Sequence, residues 1–329
     1  MKNIYLVIPC YNEEDVLIET ANRVKQKFEW LIEENKINKN SRIVFVDDGS
    51  KDKTWNIIEK LYSSNELFLG IKLSKNRGHQ NALLAGLMTV KDYCDAVISL
   101  DADLQDDINV IDKFIEKFYE GNDIVYGVRS SRETDTLFKR TTAQGFYKFM
   151  SLLGVDIIYN HADYRLMSRR ALFGLEEFKE VNLFLRGIVP LIGYKYAIVE
   201  YERNERFAGE SKYPLKKMIS FAFEGITSFS VKPIRLVLLI GVIMFLTSLI
   251  ALSYSLLVWI LGQTIQGWTT LVISIWMLGG IQLLCFGIIG EYIGKIYIET
   301  KQRPKFIIDK FLNNKDIMNE VKSYVTNKN

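Results

Sequence analysis

The chain is poor in cysteine and histidine and carries no charge over one long stretch, and each shortage excludes something. Its three cysteines, Cys10, Cys94 and Cys285, are odd in number, far apart and never in a C-x-x-C pair. That excludes a disulfide framework and a cysteine-type zinc site, and it fits a reducing compartment. The two histidines, His79 and His161, fall in no metal-ligand pattern, and His79 reads as a helix-start residue. A net charge of +3 with no dense basic arm gives no support for nucleic acid as a partner. No basic, apolar and small-residue signal architecture precedes the strand-like run at Ile4, so no cleaved export signal is expected. Neither G-x-G-x-x-G nor G-x-x-x-x-G-K-[ST] occurs, which removes the main support for a dinucleotide or P-loop site. Internal repeats and low-complexity segments are absent as well.

The longest absence is of charge. From Leu236 to Gly290 no residue is ionisable as an acid or base of the Asp, Glu, Lys or Arg type. One bilayer crossing takes about 20 residues, so this length predicts two helices and a turn. The turn is expected near Gly262–Trp268, where Gln263, Gln266 and two glycines interrupt the apolar run, with Trp259 and Trp268 at the far interface. Lys212, Lys216, Lys217, Lys232 and Arg235 precede the run, and Lys295, Lys301, Arg303 and Lys305 follow it, while the turn carries none. The positive-inside rule then puts both flanks, and both termini, on the cytoplasmic side of the cell membrane. A buried helical hairpin in a soluble protein is the blander alternative.

What is present is an alternation. Within 329 residues there is room for one sizeable domain plus something smaller. Five β-rich runs, Ile4–Ile8, Ile43–Val46, Leu69–Leu73, Ala96–Leu100 and Ile124–Val128, are separated by helix-like stretches. Those stretches run from Glu13 to about Glu34 with Asn12 as candidate N-cap, then over Thr54–Tyr62, His79–Lys91 and Ile108–Tyr119. This pattern predicts an α/β domain with a parallel sheet and helices on both faces. The strands are nearly continuous in apolar residues, as sheets buried on both faces are. The segment Ser130–Tyr213 is less regular and rich in arginine, Arg186 included, and reads as the acceptor half of a site. Lys216–Val231 reads as a helix lying along a membrane surface. The mixed-charge tail past Thr300 reads as a surface helix or a partly disordered end.

Ligands of such sheets bind beyond the carboxyl ends of the strands. The residues there are Pro9-Cys10-Tyr11-Asn12-Glu13, Asp47-Asp48-Gly49-Ser50, Ser74-Lys75-Asn76-Arg77-Gly78, Asp101-Ala102-Asp103-Leu104-Gln105 and Gly127-Val128-Arg129. If the backbone stays extended after the fourth run, Asp101 and Asp103 face one side. Paired oxygen donors beside a nucleotide suit Mg²⁺ or Mn²⁺, and Gln105 adds a carbonyl oxygen. Asp106 and Asp107 read as caps of the next helix. A carboxylate at Asp47 or Asp48 suits a ribose hydroxyl or a base N–H, with Ser50 and Thr54 capping a helix beside it. Tyr11 is placed to stack on a base. Arg129, Arg206 and Lys212 supply cations for a diphosphate or a lipid phosphate. Asp163 is a candidate base or orienting group, and a dianionic phosphate acceptor needs little help from a base.

Pro9-Cys10-Tyr11-Asn12-Glu13-Glu14, Val46-Asp47-Asp48-Gly49-Ser50-Lys51-Asp52-Lys53-Thr54 and Asp101-Ala102-Asp103-Leu104-Gln105-Asp106 together resemble family-two glycosyltransferases of the GT-A fold. Asn76-Arg77-Gly78, Asp163-Tyr164-Arg165-Leu166, Arg206-Phe207-Ala208-Gly209-Glu210-Ser211-Lys212-Tyr213 and Gly290-Glu291-Tyr292-Ile293-Gly294-Lys295 resemble its polyprenyl-phosphate branch, similar to bactoprenol glucosyltransferases and dolichol-phosphate mannose synthases.

The resemblance implies a Rossmann-like, mostly parallel sheet over 1–213, a juxtamembrane helix over 214–234, two transmembrane helices over 235–292 and a tail over 293–329. It implies that Pro9, Tyr11, Glu13, Asp48, Asp101 and Ala102 contact the nucleotide. Asp101, Asp103 and Gln105 would hold Mg²⁺ or Mn²⁺, Arg129, Arg206 and Lys212 would meet phosphates, and Asp103, Arg129 and Asp163 would serve catalysis. The expected reaction is inverting transfer from a UDP-sugar to undecaprenyl or another polyprenyl phosphate. No Gln-x-x-Arg-Trp motif is found, which points to a single transfer, and related enzymes point to self-association. An acceptor of diacylglycerol or peptide type is the alternative within enzymes. An idle membrane scaffold or flippase partner is the alternative outside them, and the presence of both Asp101 and Asp103 counts against it.

Overall fold

The computed structural model describes residues 1–129, 161–181, 184–202, 232–261 and 267–313. They divide into two units, one holding the sheet and residues 303–313, the other the helical hairpin.

The first unit opens with β1 (Ile4–Cys10), whose seven residues are all buried, as the uninterrupted apolar run requires. It continues through α1 (Leu17–Glu33), β2 (Arg42–Asp47), α2 (Thr54–Ser64), β3 (Phe68–Leu73), α3 (His79–Val90) and β4 (Ala96–Ser99). After a short 3-10 turn come α4 (Ile111–Tyr119), β5 (Ile124–Arg129), β6 (His161–Ser168), α5 (Arg169–Glu176), α6 (Leu185–Leu191) and β7 (Tyr196–Tyr201). Strand β8 (Ile308–Leu312) completes one eight-stranded sheet in the order β7-β5-β6-β4-β1-β2-β3-β8.

Alternation along the strands feeds two helical layers. Ile4, Leu6 and Ile8 belong to a core with Leu17, Ala21, Val24, Phe28 and Leu31 of α1 and Phe114 of α4. Val7 and Val46 turn the other way, toward α3. There a Cβ on Gly86 would stand 2.4 Å from Val7 Cγ1, so only glycine lets the helix sit this close.

Strands β1 to β4 are mutually parallel where they pair, but β6 is antiparallel to both β4 and β5, and β8 is antiparallel to β3. The sheet is therefore mixed, though mostly parallel. Reversal of β6 has a functional consequence, because its first residues arrive at the same edge as the carboxyl ends of β1 to β5. The tail, expected as a surface helix or a partly disordered end, differs at 308–312. There the chain forms an edge strand in which the Ile307 carbonyl accepts from Ser74 N at 2.9 Å and Lys305 Nζ donates to the Phe178 carbonyl at 3.2 Å. Pairing covers the open edge that β3 would otherwise expose.

Asn12 is not the N-cap of α1. The cap position is Val16, and Asn12 sits at φ +53° with its Oδ1 accepting from Lys51 N at 2.9 Å. Its side chain ties two loops together instead.

In the second unit, α7 (Lys232–Ile260) and α8 (Trp268–Lys301) are separated at the place where the turn is expected. Leu239, Leu246 and Ile250 of α7 and Leu283 and Phe286 of α8 are all more than half exposed. Among the described residues, one segment, Met277–Lys301, is long and apolar enough to cross a membrane by length and composition. Lys216–Val231, Arg206 and Lys212 lie outside the described residues.

Candidate active site

Three loops at the carboxyl edge are held together by backbone amides and short polar side chains. Asn12 N donates to Ser50 Oγ at 3.0 Å, Glu13 N to Thr54 Oγ1 at 2.9 Å and Glu14 N to Asp52 Oδ2 at 3.1 Å. Lys53 N returns a bond to Glu14 Oε2 at 3.0 Å. Ser50 and Thr54 therefore fix the loop after β1 rather than cap α2. The cap position of α2 is Lys53, and Asp52 just before it accepts from Thr54 N at 3.0 Å. Each bond satisfies an amide that a loop would otherwise leave to water.

Asp48, only 2% exposed, receives Arg77 N at 2.7 Å on Oδ1 and Gly78 N at 2.8 Å on Oδ2. Burial raises its pKa and those two amides pull it back. It joins the loop after β2 to the loop after β3. Gly49 makes that approach possible. At φ +67° a Cβ there would lie 2.6 Å from Asn76 N and 2.7 Å from the Lys75 carbonyl carbon. Gly49→Ala is expected to cost at least ~1–2 kcal/mol from the left-handed backbone alone. Because the clash is with backbone, the two loops must also part. A lower thermal midpoint together with weakened nucleotide binding checks this, and unchanged binding would refute the coupling of the loops.

These contacts leave Tyr11, 37% exposed, and Glu13 at the rim, whereas Pro9 is buried inside β1, which runs on to Cys10. The accessible residues of this edge are thus Tyr11 and Glu13, with Asp48 behind them.

After β4 the backbone does not stay extended. Residues 102–104 turn, and Leu104 takes φ +57° with its side chain buried. The Thr20 hydroxyl donates to the Ala102 carbonyl at 2.8 Å, and Gln105 N donates to Asp103 Oδ1 at 3.2 Å. The relation between Asp101 and Asp103 is thus set by a tight turn and not by strand alternation. Asp107 does cap the following turn, accepting from Asn109 N at 2.9 Å. Asp106 does not cap. It is 3% exposed, with Tyr201 Oη donating to Oδ1 at 2.6 Å and Arg129 Nη2 at 3.5 Å from the same oxygen. Its Oδ2 is buried with no hydrogen-bond partner among the described residues. Burial pushes the Asp106 carboxyl up to about 6, with the charge of Asp101 adding to the effect and Arg129 opposing it.

This donor chemistry fits a hard divalent cation. Among the described residues no three His, Cys, Asp or Glu side chains form a ready-made cage. A cation held by one or two carboxylates, with waters and substrate phosphates filling its remaining positions, is the usual arrangement for Mg²⁺.

Across the edge stands a second charged group. Asp163, near the start of β6, receives Arg165 Nη2 at 2.6 Å on Oδ1. Arg186 of α6 grips it with two nitrogens, Nη2 at 2.9 Å from Oδ2 and Nε at 3.3 Å from Oδ1. The Asp163 carbonyl accepts from the Ser99 hydroxyl. Burial alone would raise this carboxyl, but Arg186, Arg165 and His79 together hold it well below the usual carboxylate range.

His79, at the start of α3, joins the two groups. Its Nε2 is 3.4 Å from Asp101 Oδ1 and 3.9 Å from Asp163 Oδ2. Its neighbour Gln80 accepts from Leu185 N at 2.9 Å and so fixes the backbone that presents Arg186. The edge is therefore polarised, with acidic Asp101, Asp103 and Asp106 on one side, basic Arg165 and Arg186 around Asp163 on the other, and His79 between.

Sequence reasoning missed His79, Gln80, Asp106 and Tyr201 as site residues, and placed Arg186 only within the arginine-rich acceptor half, with no partner named. The only local signal was the polar run Asn76-Arg77-Gly78-His79-Gln80 opening an otherwise apolar helix. Arg186 and Tyr201 lie far along the chain, and no spacing rule connects them to Asp163 or Asp106.

Two family models match the chain. A model of glycosyl transferase family 2 matches residues 5–173, and one of the GtrB C-terminal hairpin matches residues 232–296. The chain is 57% identical to the glycosyltransferase YkoT of Bacillus subtilis (strain 168), over 95% of this chain and 93% of that protein. It is 42% identical to the prophage bactoprenol glucosyl transferase homolog of Escherichia coli (strain K12), over 93% of this chain and 98% of the relative. With the bactoprenol glucosyl transferase of Shigella phage SfII it shares 41% identity, over 93% and 97% respectively.

Proposed function

The chain belongs to glycosyl transferase family 2, as an enzyme with a GT-A catalytic domain and a C-terminal hairpin, and from that premise we propose a specific reaction. It moves one sugar from a nucleotide donor, UDP-glucose or UDP-N-acetylglucosamine, to undecaprenyl or another polyprenyl phosphate at the cytoplasmic membrane face, for modification of cell-envelope glycans. The observation that carries this reading is the polarised strand-end edge, acidic toward the donor loops and basic around Asp163. Identity of 41–42% along nearly the whole chain to bactoprenol glucosyl transferases supports the acceptor.

The residues divide the work between them. Tyr11 and Glu13 receive the nucleoside, backed by Asp48 and the cross-braced loops. Asp101, Asp103 and Gln105 would hold Mg²⁺ or Mn²⁺, which when bound supplies counter-charge to a departing diphosphate. An acceptor phosphate oxygen attacks the anomeric carbon as the bond to the nucleoside diphosphate breaks, and the configuration inverts. The second pKa of a phosphate monoester is about 6, so the acceptor is largely dianionic at neutral pH and has no proton to lose. Asp163 suits orientation better than proton abstraction, since two arginines hold it ionised and make it a poor base. Arg129, braced by Asp106 and Tyr201, would meet the phosphates.

The hairpin anchors this site to its lipid. Exposed leucine, isoleucine and phenylalanine along α7 and α8 suit a bilayer and not water. Two spans with basic flanks on one side place both soluble ends in the cytoplasm. The catalytic domain is assigned to 1–213, a juxtamembrane segment to 214–234, the spans to 235–292 and a cytoplasmic tail to 293–329, of which 308–312 form β8.

Membranes containing the protein, incubated with undecaprenyl phosphate, Mg²⁺ or Mn²⁺ and a panel of radiolabelled nucleotide sugars, test the proposal. One donor is expected to yield a labelled, acid-labile lipid. If no donor labels lipid although UDP binds with a divalent cation, the acceptor assignment is wrong. Failure of UDP to bind as well would favour an idle scaffold.

A further inference from the structure

Strand pairing puts Arg129 and Tyr201 side by side, because β5 and β7 run parallel with these two residues in register at their carboxyl ends. The Tyr201 ring has a fixed bed. It meets Tyr164 edge-on, with ring centroids 5.4 Å apart, and it lies over Gly127, where a Cβ would stand 3.0 Å from Tyr201 Cε1. That bed sets where the hydroxyl falls, between Asp106 and Arg129. It donates to Asp106 Oδ1 at 2.6 Å and accepts from Arg129 Nε at 3.4 Å. Burial and the neighbouring carboxylate raise the Tyr201 pKa, so the hydroxyl keeps its proton and the direction of both bonds is set.

These bonds use one edge of the guanidinium and leave another. Nε is taken by Tyr201, and Nη2 stands 3.5 Å from the same Asp106 oxygen. Arginine carries its N–H donors in a rigid fork. Its end edge, shared by Nη1 and the second hydrogen of Nη2, makes no hydrogen bond among the described residues. The Asp106 side chain behind it is 1% exposed, whereas that of Arg129 is 28% exposed. Asp106 acts through a single oxygen, since its other one has no partner among the described residues. Its loop does not need it for shape. Tyr164 Oη donates to the Asp107 carbonyl at 3.1 Å and Asp107 caps the turn that follows, so the loop is pinned one residue further on.

We propose that Tyr201 and Asp106 are positioning residues for the transfer reaction, holding the side edge of the Arg129 guanidinium so that its remaining end edge faces the phosphates. This rests on the reading of Arg129 as a phosphate ligand given above, and it assigns to the same step two side chains that do not touch substrate. An arginine clamped in advance loses little side-chain entropy on meeting an anion, and its end edge can take two phosphate oxygens at once. Asp106 also belongs to the loop that carries Asp101, Asp103 and Gln105. The brace therefore keeps the Arg129 charge in a fixed relation to the residues assigned to the metal.

A double-mutant cycle provides the test, on full-length protein in detergent micelles with undecaprenyl phosphate, Mg²⁺ or Mn²⁺ and the labelled nucleotide sugar it accepts. Tyr201→Phe keeps the ring and removes the hydroxyl. It is expected to lower kcat about tenfold, the scale of one hydrogen bond to a charged group. The KM for donor and for lipid should each move less than about threefold, because the cation is still present and only its aim is lost. Arg129→Ala, which removes the guanidinium, should lower transfer more. In the Arg129→Ala background Tyr201→Phe should then cost less than about twofold, because the hydroxyl has nothing left to aim. Asp106→Asn, which keeps an acceptor oxygen for Tyr201, should retain more transfer than Asp106→Ala. Melting without ligand reports whether each variant is folded; if Tyr201→Phe is not, Asp106→Asn takes its place in the cycle. Losses that multiply in the double variant mean that the two side chains act separately, and they overturn the proposal, as does full transfer by Tyr201→Phe. Full transfer by Arg129→Ala removes the phosphate ligand and this inference, while the transfer reading stands. Wild-type protein that makes no lipid product with any nucleotide sugar overturns the reading and this inference with it.

Discussion

Asp163→Ala is expected to destabilise the catalytic domain by about 3–5 kcal/mol, because it leaves the buried Arg165 guanidinium without this counter-ion. Arg165, 2% exposed, would keep its guanidinium beside that of Arg186 with no carboxylate between them. Its Nε already lacks a hydrogen-bond partner among the described residues, so little local slack exists to absorb the change. For a domain of this size such a loss lowers the thermal midpoint on the order of 10 °C. Asp163→Asn, which keeps one acceptor oxygen, should fall between the two. A midpoint for the alanine variant within about 2 °C of wild type would mean the cluster is solvated in solution.

The pH behaviour follows from the sign of the Asp163 shift. Its pKa in the folded protein lies below the ordinary value, so folding favours the ionised form. The stabilisation is complete above the unfolded pKa, about 3.9, and is lost as pH falls through the depressed folded value. Between pH 5 and 9 this group should contribute a flat midpoint, and the loss should appear only in stronger acid. A wild-type midpoint that dropped between pH 7 and 5, with the drop absent from Asp163→Asn, would contradict it.

Loss of transfer is the second large effect. Asp101→Asn and Asp103→Asn each remove a negative oxygen donor from the turn after β4, and each is expected to lower transfer by about 10²–10³-fold, the scale of a lost electrostatic stabiliser. The physical cause is separable from folding. Divalent-dependent UDP binding should weaken in both variants, while melting in the absence of nucleotide should not fall, since removing one of several like charges relieves repulsion at Asp106. Asp107→Asn is the internal control. It sits on the same loop but only caps the 3-10 turn that follows, and asparagine caps as well as aspartate, so transfer should stay within about twofold. Equal losses in all three would mean that the turn's shape matters and its charges do not.

Much of the fold is legible in the order of residues alone. Ile4–Ile8, Ile43–Val46 and Ile124–Val128 are strands to within two residues, because strands buried on both faces must be apolar throughout, and helices between them show their buried stripe. The break between α7 and α8 falls where glycine and glutamine interrupt the apolar run. Strands β6 to β8 are not legible in this way. β6 carries Asp163 and Arg165 at positions that look unfit for a sheet, and they fit only because each neutralises the other and because Arg186 and Ser99 supply further bonds. β8 is short and charged, as edge strands are, and so resembles a solvated tail.

The same division runs through the site. Sequence alone determined which loops meet, since parallel strands must deliver their carboxyl ends to one edge, and it determined the acidic residues after β4 and the apolar anchor. Tertiary structure decided the rest. Asp101 and Asp103 do not share a face by strand alternation, because the chain turns at Leu104, whose positive φ no propensity foretold. Asp106 became a buried brace for Arg129 through Tyr201, 95 residues away, and His79 became the link between Asp101 and Asp163. Apolar periodicity is a local consequence of burial, and so it is written into neighbouring residues. Charge pairing between buried groups depends on which strands lie side by side, and the antiparallel insertion of β6 between β4 and β5 is what brings these charges together.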